Sequence, residues 1–354
     1  DDELRKRFPG LPEHVVHLMT FIAEETRQIL ASLGASSLED VIGRADLLDQ
    51  VSRGAAHLDD LDLNPILTLV DAGERPKRPT RKGRKEVVDT LDQRVMPDLE
   101  PFLARREKVQ ISYPVKNTDR AIGARISSHI VRQYKKDDLT EDHVTMRLKG
   151  SAGQSLGVFS AFGLKIIVDG DANDYVGKGL SGATIVVRPV DVQASANDAI
   201  IGNTCLYGAT AGALFAAGRA GGRFAVRNSG ANAVIEGCSA NGCEYMTGGA
   251  VVILGTTGNN FGAGMTGGLA FVYDETGSFE GAVNPESIAI RGFEDGEDDF
   301  ECHSLIEQHW LETKSPKARR ILDDWKNARS KFWVVEPRET LARKQKIADS
   351  AKIA

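Results

Sequence analysis

Thr247-Gly-Gly-Ala-Val-Val-Ile-Leu-Gly255 returns nineteen residues later as Thr266-Gly-Gly-Leu-Ala-Phe-Val-Tyr-Asp274, and the reading of that echo decides the fold. Extended in both directions, the pattern runs from Gly150 to Gly281, a stretch holding 27 of the chain's 36 glycines. Phe162, Ser181, Thr210, Ser229, Thr247 and Thr266 fall in one row, at spacings of 19, 29, 19, 18 and 19. Gly163, Gly182, Ala211, Gly230, Gly248 and Gly267 follow them. Then come apolar triplets: Ile166-Ile167-Val168, Ile185-Val186-Val187, Leu214-Phe215-Ala216, Ala233-Val234-Ile235, Val251-Val252-Ile253 and Ala270-Phe271-Val272. Two residues past each triplet stands a turn former: Gly170, Pro189, Gly218, Gly237, Gly255 or Asp274. The one long interval carries about ten extra residues near Arg188 to Asn197, read as a loop pushed out of a regular stack.

A fixed period near twenty marks stacked units. Short β-branched runs between glycine turns read as strands. Nineteen residues with two or three short strands make one rung of a parallel β-helix. A rung that buries four or five apolar side chains gains roughly 6–15 kcal/mol, at ~1.5–3 for each. Ordering its backbone costs ~1–2 kcal/mol per residue, so a lone rung does not hold and stacking is obligatory. Strands ~4.8 Å apart make six or seven rungs a rod roughly 30 Å long. The expected architecture is therefore mainly β, with short helical segments before and after. The residues expected to matter are the rung turns Gly163, Gly182, Gly230, Gly248, Gly267, Gly170, Gly237 and Gly255, where the backbone must bend tightly, often at positive φ.

Composition narrows the function classes. The chain has 354 residues, 41% apolar and 27% charged, which suits two or three modules of a soluble protein. A net charge of −6 favours neither nucleic acid nor an anionic membrane. No apolar run approaches the ~20 residues of a membrane span. There is no signal-peptide pattern, and a start at Asp1 is expected of a processed or excised piece. Four cysteines do not make a secreted disulfide framework, so a reducing, cytoplasmic setting is expected.

The expected domains are a helical segment over 1–50, a linker with helical pieces over 51–108, the β-helix over 109–290, and an acidic loop with a helical tail over 291–354. Pro12 to Leu33 has the spacing of an amphipathic helix, and Ser37-Leu38-Glu39-Asp40 that of a capping box opening a short second one. His14 and His17 lie three apart without a third ligand. Seven of the thirteen residues from Gly73 to Lys85 are Lys or Arg, with no aromatic among them, and read as a solvated linker. Val87 to Glu107 reads as a helix broken near Pro97, Val109 to Val115 as a strand, Ile122 to Tyr134 as a strand running into a helix, and His143 to Leu148 as an imperfect first rung. Ser304 to Ser330 reads as two helices split near Pro316. Trp310, Trp325 and Trp333 are expected to pack the tail.

Chemistry in the rod is sparse. Cys238 and Cys243 are the close cysteine pair. Even with Cys205 they lack a fourth ligand, and small buried residues explain them. Gly177-Lys178-Gly179 and Gly262-Ala263-Gly264 imitate phosphate loops but recur with the rung and precede no helix. Acyltransferases on β-helices need a period of six and a catalytic histidine, yet no histidine lies between His143 and His303. Polysaccharide-cleaving rods need a column of acidic groups; Asp169, Asp171, Asp174 and Glu236 sit at turns instead. The acidic run from Arg291 to Glu301 lacks calcium-loop spacing.

Gly150-Ser-Ala-Gly-Gln-Ser-Leu-Gly157, Gly170-Asp-Ala-Asn-Asp-Tyr-Val-Gly-Lys-Gly-Leu-Ser-Gly182, Ile201-Gly-Asn-Thr-Cys-Leu-Tyr-Gly-Ala-Thr210, Arg223-Phe-Ala-Val-Arg-Asn-Ser-Gly230 and Gly242-Cys-Glu-Tyr-Met-Thr-Gly-Gly249 closely resemble the C-terminal domain of the glutamate synthase large subunit. Leu4-Arg-Lys-Arg-Phe-Pro-Gly10, Pro12-Glu-His-Val-Val16 and Ile42-Gly-Arg-Ala-Asp-Leu-Leu48 resemble the end of that family's FMN-binding synthase domain. The resemblance implies a right-handed β-helix, named for its Gly-x-Gly-x-Gly pattern. The family's enzyme makes two glutamates from glutamine, 2-oxoglutarate and reductant, and the resemblance makes this chain its non-catalytic structural rod. Partners implied are the amidotransferase and FMN-binding domains, with a small NADPH-oxidising subunit or ferredoxin as donor. FMN and an iron–sulfur cluster are expected in the parent enzyme, and no cofactor, metal or catalytic residue in this chain. The rival readings are a stand-alone β-helix enzyme, for acyl transfer or polysaccharide cleavage, and a separate scaffold subunit of a split glutamate synthase.

Overall fold

The apolar triplets of the repeat lie side by side as parallel strands. Ile166 pairs with Ile185, Ile185 with Leu214, Leu214 with Ala233, Ala233 with Val251, and Val251 with Ala270. The structure, a computed structural model, describes residues 6–7, 10–54, 59, 61–71, 73–75, 89–135, 138–190, 198–293 and 296–342. The basic stretch 76–85 and most of the inserted loop, 191–197, lie outside the described residues. The chain divides into two units, Asp1–Val87 and Val88–Ala354.

In the first unit, α1 (Pro12–Ser32) starts with its proline at the first helical position, where no N–H is needed. A 3₁₀ turn follows over Leu38–Asp40, and the Ser37/Asp40 capping box is formed. Val15, Val16, Met19, Phe21 and Ile22 of α1 are exposed.

The second unit holds α2 (Leu91–Ala104), β1 (Val109–Val115), α3 (Ala124–Gln133), β2 (Val144–Ala152), β3 (Leu164–Ala172), β4 (Ser181–Arg188), β5 (Ala199–Ile201), β6 (Ala211–Ala216), β7 (Arg219–Ala220), β8 (Asn232–Ile235), β9 (Thr247–Ile253), β10 (Gly267–Tyr273), β11 (Ile288–Arg291), α4 (Glu297–Thr313), α5 (Pro316–Asp323), α6 (Trp325–Ala328) and β12 (Phe332–Pro337). They build one 12-stranded sheet with the path β1-β2-β3-β4-β6-β8-β9-β10-β12-β11, and β5 and β7 pairing off it. Every pairing is parallel except those that β12 makes with β10 and β11.

The expectation of a mainly β, right-handed parallel β-helix of about six or seven rungs is corrected by this architecture. The fold is α/β, a mostly parallel 12-stranded sheet with helices against it. Two physical facts separate the outcomes. Each repeat gives the long path one strand rather than two or three, and most of the connecting segment is turn. The middle residue of each triplet, which a bare rung would leave to solvent, is covered. Val186, Phe215, Val234, Val252 and Phe271 form one core with Cys302, Leu305, Ile306, Ala318 and Ile321 of α4 and α5. The flanking residues Ile166, Val168, Ile185, Val187, Leu214 and Ile253 turn the other way, into a core shared with Leu156, Val176, Leu206, Phe224 and Phe261 of the connecting segments. A continuous apolar triplet is what a strand buried on both faces requires.

Two local expectations also change. α2 runs unbroken through Pro97 and Pro101. Both prolines are exposed, whereas Leu91, Val95, Leu99 and Leu103, four apart, are buried on one stripe. At ~1.5–3 kcal/mol for each buried side chain, that stripe offsets the ~3 kcal/mol a proline costs inside a helix. No strand forms at Ile122. Residues 121–123 turn into α3, whose first N–H groups are held by the buried carboxylate of Asp92, which accepts from the amides of Gly123 (2.9 Å) and Arg125 (2.8 Å).

Candidate functional site

The connecting segments carry the feature that gives the repeat its glycines. In six successive segments every second residue is left-handed: Ser155, Gly157 and Phe159; Tyr175, Gly177 and Gly179; Thr204, Leu206 and Gly208; Arg223, Ala225 and Arg227; Asn241, Cys243 and Tyr245; Asn260, Gly262 and Gly264, with φ from 54° to 71°. The alternation points successive amides in opposite directions. The middle residue donates to the preceding segment, as in Gly177 N–H to Leu156 O, Leu206 to Val176, Ala225 to Cys205 and Cys243 to Phe224. The outer residues donate to the following one, as in Tyr175 to Asn203 O, Thr204 to Gly222, Arg227 to Glu244 and Tyr245 to Ala263. Gly177-Lys178-Gly179 and Gly262-Ala263-Gly264 are thus links of this ladder: Gly177, Gly179 and Gly262 donate to backbone carbonyls, and Gly264 donates to Ser287 Oγ.

The eight turn glycines sort into two kinds. Gly163, Gly170, Gly182 and Gly237 have positive φ, from 93° to 152°. Gly230, Gly248, Gly255 and Gly267 do not. A Cβ at those four would strike a carbonyl oxygen of the repeat before, on Thr210, Ser229, Glu236 and Thr247 respectively. Close approach, not only torsional freedom, places them.

The acidic residues weighed for catalysis are spread apart. Asp169 sits between Arg147 Nε and Arg188 Nε, each at 2.7 Å. Burial raises its carboxyl, but the two guanidinium hydrogen bonds outweigh this and hold it below the ordinary aspartate range. Asp171 accepts from Ser151 Oγ (3.0 Å), and Asp174 from the backbone N–H of Asn203 (2.7 Å). Glu236 is buried elsewhere, accepting from Ser315 Oγ and facing His309 Nε2 at 3.5 Å. Cys205, Cys238, Cys243 and Cys302 are buried free thiols. Burial pushes Cys205 and Cys238 up to about 12, and Cys243 and Cys302 well up too. His14 and His17 lie on the exposed α1, and no set of three or more metal-ligating side chains is gathered among the described residues.

What the sequence reading missed lies where the repeat meets the C-terminal helices. A cavity of about 180 Å³ is lined by Arg219, Glu236, Thr256, Thr257, Asp274 and Lys317, among others. Arg219 comes from β7 and Lys317 from the first turn of α5. Burial lowers the Lys317 ammonium below the ordinary lysine value, partly offset by the charges of Glu236 and Glu275. Among these, Glu236 was weighed as an acidic group and Asp274 as a turn former; Arg219, Thr256, Thr257 and Lys317 drew no notice, being single residues brought together by folding. No described helix is long and apolar enough to cross a membrane.

Comparison with known proteins gives a consistent result. Residues 92–338 match the family described as GXGXG motif. The chain is 57% identical over 345 residues to the NADPH glutamate synthase large chain of Azospirillum brasilense, covering 97% of this chain and 23% of that protein. It is 42% identical to ferredoxin-dependent glutamate synthase 2 of Synechocystis sp., covering 95% of this chain and 22% of that protein. It is 43% identical to the NADH glutamate synthase of Schizosaccharomyces pombe, covering 96% and 16%. The chain spans less than a quarter of the length of these relatives.

Proposed function

Because this chain belongs to the GXGXG motif family, we propose that it is the structural portion of a glutamate synthase large chain, the rigid part on which the enzyme's catalytic domains are mounted. The observation that carries this reading is the breadth of the match. Relatives named for NADPH, NADH and ferredoxin each align with at least 95% of the chain. A segment common to enzymes with three electron donors serves something other than donor choice. The ladder of the connecting segments supports a rigid role, since successive repeats are tied by backbone hydrogen bonds on both the strand and the turn side.

On this reading the parent enzyme converts glutamine, 2-oxoglutarate and reductant into two glutamates in the cytoplasm. Its FMN, its iron–sulfur cluster, its amidotransferase domain, all but the helical end of its synthase domain (residues 1–50) and its small NADPH-oxidising subunit or ferredoxin lie outside these residues. The eight turn glycines serve stacking rather than catalysis. The test is direct. Purified chain should carry no flavin absorbance and release no glutamate from glutamine, and antibody to it should detect in source cells a polypeptide several times larger than 38.3 kDa. Stoichiometric flavin, or turnover of glutamine, overturns the structural role. A native band at the chain's own size makes it a separate scaffold subunit.

A further inference from the structure

We propose that the cavity between β7 and the first turn of α5 is a binding site for a small oxyanion, held by Arg219 and Lys317. Both cations rest on glycine. The Arg219 Nη1 lies 2.7 Å from where a Cβ on Gly237 would stand, and the Lys317 Nζ lies 2.9 Å from the same point on Gly255. A side chain at either glycine would force the cation beside it to shift. Two turn glycines of the repeat therefore do more than shape the chain: they leave room for a pair of cations converging from two elements.

Among the described residues neither cation makes an ion pair. Arg219 donates to Thr256 Oγ1 (2.6 Å) and to the carbonyl of Cys238 (3.2 Å), both neutral. Three carboxylates share the cavity wall, and the charges of Glu236 and Glu275 act on Lys317 from beyond ion-pair distance. Glu236 accepts from Ser315 Oγ and faces His309. Asp274 accepts from the amides of Ser278 and Phe279, each at 3.0 Å, and from Trp333 Nε1 at 3.3 Å. Glu275 is exposed. Thr257 adds a buried hydroxyl with no partner in the protein. Two cations with no carboxylate in ion-pair contact and a hydroxyl without a partner form the donor set of an anion site, because charge-assisted hydrogen bonds to an oxyanion are stronger than those to neutral acceptors. Burial disfavours the lone Lys317 ammonium, and a bound anion would reverse that. About 180 Å³ has room for an anion of phosphate size with water. Phosphate, sulfate and a short carboxylate share this chemistry.

Isothermal titration of the full chain with sodium phosphate, at ionic strength held constant with sodium chloride, should give saturable one-to-one binding. Lys317→Met should weaken it at least tenfold, while Lys178→Met, on another segment, leaves it unchanged. Parallel titrations with sulfate and succinate identify the anion: tight binding of the tetrahedral pair alone marks a phosphate-type site, and of succinate alone a carboxylate site. No saturable binding of any of the three overturns the proposal, as does equal affinity in Lys317→Met. A second readout needs no variant. In ¹⁵N-lysine-labelled chain, phosphate should move the titration of the Lys317 ammonium to higher pH, and an unmoved titration counts against the site. None of these measurements depends on whether the chain is a structural portion of a larger enzyme.

Discussion

Single residues in this chain act mainly through the backbone conformations they tolerate. Thr204 holds φ at 59°, a setting a β-branched residue adopts at a cost of ~1–2 kcal/mol. Thr204→Gly removes that cost and gives back ~0.5–1 kcal/mol in unfolded-state entropy. The net gain should be about 0.5–1 kcal/mol, read as a higher denaturant midpoint at unchanged slope. Gly248 lies at the other extreme, since a Cβ there meets the carbonyl of Ser229. Gly248→Val should cost ~2–3 kcal/mol, as overpacking does. Thr257→Val should be close to neutral, because it removes a buried hydroxyl that has no partner. Equal melting temperatures for the two variants would contradict the close approach at Gly248.

At the scale of elements, the sheet is tied across its strands by charge as well as by backbone. Arg147 of β2 and Arg188 of β4 both bind Asp169 of β3, and Arg188 also donates to the carbonyl of Glu312 in α4 (2.9 Å). The folded-state carboxyl of Asp169 lies below its ordinary value. Its stabilising contribution is therefore complete above the unfolded value near ~4 and is lost as pH falls through the depressed folded one. Acid unfolding of Asp169→Asn should accordingly be less steep than that of the parent below about pH 4, and superimposable acid curves would exclude a role for the carboxylate. The register that makes this triad was legible in the sequence, because the rows headed by Ile166 and Ile185 are the pairs found. The helical layer was legible only in part. Val186, Phe215 and Val252, at the middle of their triplets, are too apolar for an open face, and that was the signal for a covering element. α2 was read as a helix broken near Pro97, and its continuity was missed because the four-residue spacing of its buried stripe outweighs a local rule about proline.

Across the whole second unit, two systems of hydrogen bonds run along the stack: the strand ladder, and the connecting segments with their alternating left-handed residues. The second system was not legible, because Arg223, Ala225, Arg227 and Cys243 take the left-handed setting without being the residues that usually announce it. The cavity at Arg219 and Lys317 escaped for a different reason: its groups stand nearly a hundred residues apart and meet only when α5 docks. The double ladder has a consequence for dynamics. An amide bonded between repeats exchanges only when neighbouring repeats part, so turn residues should share the protection of the core rather than the fast exchange of ordinary loops. Native-state hydrogen exchange should therefore find the amides of Gly177, Leu206, Ala225 and Cys243 as slow as those of Val186 and Val252. Exposed turns outside the ladder, such as that at Gly277, should exchange orders of magnitude faster. Fast exchange at the four ladder amides beside slow strands would mean that the strands alone carry the stack, and that the left-handed residues are tolerated by the fold rather than used by it.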